Sequence, residues 1–129
     1  MREENFMNSL LQHFTPQEFK CKCGKCTKGF SDMNPEFLKM LSRARVIANI
    51  PFQITSAIRC GQHNFETGGT PGSEHLDGQA VDIACNNSTS RHEIIVGAFA
   101  AGFNRIGIGK TFVHLGNGPD KPQNVIWLY

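Results

Sequence analysis

The chain has 129 residues, 40% of them hydrophobic and 19% charged, with a formal net charge of +2 at pH 7. That length fits one compact domain, and the composition excludes a disordered chain. The charge is too mild to point to a nucleic-acid partner, and no stretch is apolar for long enough to span a membrane.

Taken in chain order, the start "MREENFMNSLLQHF" carries two early glutamates and no continuous apolar run, so it does not read as a signal peptide. The expectation is a protein made in the cytoplasm. Next comes "CKCGKC", followed by the clearest helix, "NPEFLKMLSRARVIAN". Asn34 suits the cap, Pro35 suits the first turn, and Phe37, Met40, Leu41, Ala44 and Ala48 form one apolar stripe. "FQITSA" (52–57) reads as a strand. About twenty residues of Gly and turn chemistry follow, "IRCGQHNFETGGTPGSEHLDG", and a loop of that length in a small domain is usually functional.

"AVDIAC" (80–85) reads as the next strand. A second helix is expected over "STSRHEIIVGAFAAG", with Ser90 and Glu93 at capping-box spacing and Gly102 at its C-terminal end. "RIGIG" (105–109), "TFVHLG" (111–116) and "VIWLY" (125–129) complete the strands. This order predicts an α+β fold, a mainly antiparallel sheet flanked by helices, as a single domain over residues 1–129.

"SEHLDGQAVDI" (73–83) sets His75 and Asp82 on either side of a turn at Gly78. A loop histidine and a carboxylate on the adjoining strand can converge on one zinc ion, and His114 in the apolar "TFVHLG" is the best third ligand. A strand histidine is also an ordinary hydrogen-bonded group, so the residues alone leave both readings open. Asp82 is harder to explain without a partner, because an unpaired carboxylate among apolar strand residues is costly to bury.

The same stretch resembles the S-x-H-x-x-G-x-A-x-D signature of the zinc D-alanyl-D-alanine carboxypeptidases and their relatives. Those relatives include vancomycin-resistance dipeptidases, phage L-alanyl-D-glutamate endolysins and the hedgehog-type zinc fold. "FTPQEFKCKCGKC", "NPEFLKMLSRARVIANIPFQITSAIRCGQHN" and "GFNRIGIGKTFVHLG" resemble small phage and prophage members in order, so the likeness covers about residues 14–116. It implies zinc held by His75, Asp82 and His114, a substrate contact from Ser73, and Arg59 facing the scissile carbonyl. A guanidinium fixed toward an oxyanion in a dry site supplies several kcal/mol; Arg59 in a surface ion pair is the plainer alternative. Gln62 is a further substrate contact expected from the same loop.

The resemblance breaks at the proton-transfer group. Relatives carry an acid three residues before the last zinc histidine, a histidine two before it, or an aspartate two after it. This chain has Thr111, Phe112 and Gly116 there. His63, Glu66, Glu74 and Asp77 are other groups near the long loop, with Glu74 expected to point away from His75 along an extended backbone.

Two further motifs stand apart from this pattern. "GIGKT" (107–111) lacks the glycine a P-loop needs at position 104, which is Asn, and no helix follows. Cys21, Cys23 and Cys26, with Cys60, allow a Cys₄ structural metal, free thiols, or a pair that forms only on oxidation. Five cysteines without an export signal do not suggest a simple disulfide framework. Lys20, Lys22, Lys25 and Lys28 make this segment basic.

The leading expectation is a monomeric zinc metallopeptidase, carboxypeptidase or endopeptidase, acting on peptidoglycan stem peptides without nucleic-acid or membrane partners. It would reach the wall as a phage-type lysin or within a virion. The alternative is a zinc-containing binding or virion structural protein of the same fold, favoured by the missing acid near His114.

Overall fold

The computed structural model describes residues 3–129; the charged start at Met1 and Arg2 lies outside the described residues. Helix α1 (Glu3–His13) is followed by α2 (Pro35–Ala48), strand β1 (Ile54–Ser56), α3 (Gly61–Glu66), β2 (Ala80–Ala84), α4 (Ser88–Ala100), β3 (Arg105–Ile108), β4 (Phe112–Gly116) and β5 (Val125–Leu128). Short 3-10 turns occupy Pro16–Phe19, Phe30–Asp32 and Glu74–Asp77. The sheet order is β1-β2-β4-β3-β5, antiparallel except for the β3–β5 pair. The fold is therefore the expected α+β class, with a mainly antiparallel sheet.

Helix α2 begins as its sequence dictates. The Asn34 side chain accepts from the Phe37 N–H at 2.9 Å, and Pro35 occupies the first turn. Phe37, Leu41, Ala44 and Ala48 are buried, while Met40 lies at the edge of the core. Helix α4 is capped one turn earlier than expected. Asn87, not Ser90, accepts the Ser90 N–H at 2.8 Å, because Asn87 is the residue still in extended conformation. At its other end Gly102, at φ +102°, lets the Phe103 N–H return to the Ala98 carbonyl at 2.9 Å.

The strands alternate. Val81, Ile83, Val113, Leu115 and Ile106 join α2 and α4 in one core, which α1 extends through Phe6, Leu10 and Phe14. Asp82 and His114 are the residues between, so they belong to the opposite face. Core packing on one side thereby fixes what the other side presents.

Gly97 is the closest approach of α4 to α2. A β-carbon there would meet the Ala44 carbonyl oxygen and stand 2.9 Å from the Ala48 β-carbon. Gly97→Ala gains about 1 kcal/mol in helix propensity, but it must push two packed helices apart, which costs about 1–3 kcal/mol. The backbone clash wins, because a carbonyl cannot rotate away. Urea denaturation should show a lower midpoint; an unchanged or raised midpoint would refute this packing.

Candidate metal centre

Register brings the central pair together. Asp82 of β2 faces His114 of β4 directly across the ladder, and the same row continues to Ser56 on one side and to Gly107 and Trp127 on the other. The third contributing element is the 3-10 turn Glu74–Asp77, which carries His75. The Ser73 hydroxyl caps it by accepting from the His75 N–H at 3.2 Å. Gly78 ends it at φ +67°, where a β-carbon would also collide with the Asp32 carbonyl oxygen. The Arg59 N–H donates to the His75 carbonyl at 3.0 Å, tying this turn to the segment after β1.

His75, Asp82 and His114 each offer one ligand atom, and these atoms lie within 4.8 Å of one another. Asp82 Oδ1 stands 3.3 Å from His75 Nε2 and 3.0 Å from His114 Nδ1. Both imidazoles are oriented from behind. His75 Nδ1–H donates to the Ala57 carbonyl at 2.7 Å, and His114 Nε2–H donates to Glu74 Oε2 at 2.7 Å. A carbonyl and a carboxylate can only accept, so these bonds fix the tautomers. The remaining nitrogens, His75 Nε2 and His114 Nδ1, then turn lone pairs toward the same carboxylate oxygen.

Two lone pairs facing an anion repel unless a cation or proton stands between them. Two imidazole nitrogens and one carboxylate oxygen, each held by a partner behind it, are a donor set that suits zinc. The residues therefore fit the ion. Burial alone would lower the His114 pKa, but hydrogen bonds to Asp82 and Glu74 outweigh it and raise it. Burial likewise works against the Asp82 charge, yet His114 and His75 hold its carboxyl well below the usual range.

Glu74 was legible only as a loop acid. Its side chain does not enter the cleft; it lies buried behind His114. There it accepts from Arg105 Nε at 3.0 Å, Arg105 Nη2 at 3.1 Å and the Gly118 N–H at 2.9 Å. Burial opposes its charge, but His114, Arg105 and Gly118 together bring the Glu74 pKa down to about 2. Gly116 makes the room, since a β-carbon there would strike the Glu74 carboxylate. Arg105 in turn bonds the Pro122 carbonyl and stacks over Trp127 at 5.1 Å.

A cleft of about 360 Å³ opens over the cluster, with Arg59, Thr70, Ser73, Phe112 and Tyr129 in its lining beside the three ligands. Arg59 is held on three sides: Nε donates to Ser56 Oγ at 3.1 Å, Nη1 to Asn64 Oδ1 at 3.2 Å, and Nη2 to Asp82 Oδ2 at 3.4 Å. Asp82 thus divides its two oxygens between the histidines and the guanidinium. Gln62 is not brought to the cleft; it bonds Glu66 at 2.9 Å on the exposed side of α3. Thr111, His63, Glu66 and Asp77 do not line the cleft either, whereas Phe112 forms part of its wall. Sequence reasoning did not single out Tyr129, whose ring packs on Phe112 at 4.8 Å and whose phenol is raised by partial burial and by the Asp82 charge.

Among the described residues no helix is long and apolar enough to cross a membrane. No curated protein matches the chain in sequence. The profile of a protein family described as Peptidase M15 does match, over residues 12–116, a span that includes Arg59, all three clustered ligands and the Glu74 carboxylate behind them. M15 peptidases depend on zinc, the ion that this donor set suits, and the chain belongs to the Peptidase M15 family.

Proposed function

We propose that this peptidase cleaves an amide bond in the peptide part of peptidoglycan, with zinc held by His75 Nε2, Asp82 Oδ1 and His114 Nδ1. The observation that carries the reading is the pair of tautomer-fixed imidazoles turned toward one carboxylate oxygen beneath an open cleft. Zinc in such a site acts as a Lewis acid and lowers the pKa of water.

Arg59 supplies a preorganised positive charge on the cleft wall. Its three partners leave the guanidinium little freedom, so no reorganisation is needed when negative charge develops on a bound carbonyl oxygen. Tyr129, whose phenol is shifted upward, keeps its proton and offers a donor in the same cleft. Ser73 positions His75 through its cap and borders the same cleft, which suits it to a peptide contact. The protein would meet its substrate as a phage-type lysin released to the wall or carried in a virion.

A lysine cannot reproduce Arg59's planar fork. Arg59→Lys should lower kcat by about 10²–10³-fold, the loss typical of one oxyanion donor, with zinc content unchanged. Steady-state kinetics with metal analysis checks this; an unaltered kcat would remove Arg59 from the chemistry.

One observation favours the second reading, a zinc-containing binding or virion structural protein. Among the described residues lining the cleft, Asp82 is the only carboxylate, and it is committed to the histidines and Arg59. Mass spectrometry of fragments released from purified peptidoglycan by the zinc-loaded protein separates the two. New fragments are expected, and their masses name the bond. No release across several wall chemistries, by protein shown to hold zinc, would favour binding without turnover.

A further inference from the structure

Peptide cleavage leaves a second group of metal-binding side chains unused. Cys21, Cys23, Cys26 and Cys60 bring four sulfurs within 4.8 Å of one another, and none of the chain's cysteines is in a disulfide. We propose that these four cysteines bind a second zinc ion as thiolates, a structural site that fastens the segment before α2 to the loop carrying Arg59.

The spacing of the sulfurs suits an ion. Tetrahedral zinc with bonds of about 2.3 Å sets its sulfurs roughly 3.8 Å apart. Cys23 and Cys26 lie 3.4 Å apart here, far longer than a disulfide bond of about 2.05 Å. Three backbone N–H groups are aimed at the sulfurs: Lys25 at Cys23 (3.2 Å), Cys60 at Cys21 (3.3 Å) and His63 at Cys60 (3.4 Å). Such donors favour thiolate over thiol. Gly24, at φ +72°, turns the chain so that Lys25 can donate back to the preceding cysteine.

The charges agree. Four thiolates around a divalent cation leave two negative charges, and Lys20, Lys22, Lys25 and Lys28 occupy the same stretch.

The site also sits where the fold needs a fastening. No helix or regular strand covers residues 20–29. Cys60, by contrast, directly follows Arg59 and caps α3, whose Asn64 grips the guanidinium. An ion shared by the two segments, 39 residues apart at Cys21 and Cys60, would hold Arg59 from behind. A tetrahedral all-sulfur site takes zinc or iron, and hydrolysis calls for no redox-active ion.

The test is elemental analysis of the full chain, combined with X-ray absorption at the zinc edge, on wild type, Asp82→Ala and the double variant Cys23→Ser/Cys26→Ser. Wild type should hold two zinc ions per chain. Asp82→Ala should keep one, ligated by sulfur at about 2.3 Å, and the double variant should keep one with only nitrogen and oxygen ligands. Asp82→Ala retains all four cysteines, so its result decides the matter even if the double variant does not fold. Zinc-free Asp82→Ala protein, zinc without sulfur ligands, iron in the sulfur site, or a disulfide among these cysteines in freshly purified protein would each overturn the proposal. Loss of peptidase activity alone would leave this zinc count unchanged, so the two readings fail separately.

Discussion

Asp82→Ala should lose the cleft zinc and reduce peptide hydrolysis to background. The substitution removes a direct ligand atom, so its cost should exceed the roughly 10–100-fold in affinity associated with groups that only orient a ligand. It also releases the Arg59 Nη2 contact at 3.4 Å, leaving that guanidinium with Ser56 and Asn64. Asp82→Asn preserves the shape but not the charge and should fail nearly as badly. Competition with a chromophoric chelator reads the affinity, and turnover of a synthetic stem peptide reads the activity. A variant that binds cleft zinc like wild type would exclude Asp82 as a ligand. One that lacks the ion yet turns over would remove the metal from the reaction.

Glu74→Ala should have the largest effect on stability. Arg105 is 9% exposed at its side chain and Glu74 3%, so the alanine variant strands a buried guanidinium along with the Gly118 N–H. Breaking a buried ion pair from one side costs about 3–5 kcal/mol. Glu74→Gln keeps a hydrogen-bonding group there and should cost less, about 1–3 kcal/mol. In the fraction that folds, His114 loses the partner that fixes its tautomer, and zinc affinity should fall about 10–100-fold. Urea denaturation of the metal-free protein isolates the first effect, and chelator competition the second. Wild-type stability in Glu74→Ala would mean that the Arg105 pair is solvated rather than buried. A weakened ion pair without weaker zinc binding would separate Glu74 from the metal centre.

The elements with strong local signals were legible. All five strands fall inside the segments rich in β-branched and aromatic residues, and α2 starts on its Asn34 cap. Helix α1 was not read as a helix, although Phe6, Leu10 and Phe14 recur every four residues. Helix α3 and the 3-10 turn at Glu74–Asp77 lie within what reads as a loop, because their short spans are stabilised by Cys60 and Ser73 caps rather than by an apolar stripe. The α4 cap moved from Ser90 to Asn87 because residues one turn apart both had the right chemistry, and only backbone geometry chooses between them.

Glu74 shows the limit most clearly. An extended backbone would aim it away from His75, and it does point away, but from a 3-10 turn and into the space that Gly116 leaves behind His114. Its partners Arg105, His114 and Gly118 lie 31, 40 and 44 residues further on. No local pattern reports such a contact. The Gln62 expectation shows the converse: it lies near Arg59 in sequence, but the turn of α3 directs it to Glu66 and solvent.

By itself the sequence determined the fold class, the strands, and three residues of the types that bind zinc, because alternation, capping and ligand chemistry are written locally. The tertiary structure alone decided how those residues are used. Strand register set Asp82 opposite His114, distant acceptors fixed both imidazole tautomers, and four cysteines from two separate segments met at one point. Each of these depends on contacts between residues far apart in the chain, whose positions follow from packing the whole core rather than from any neighbouring residue.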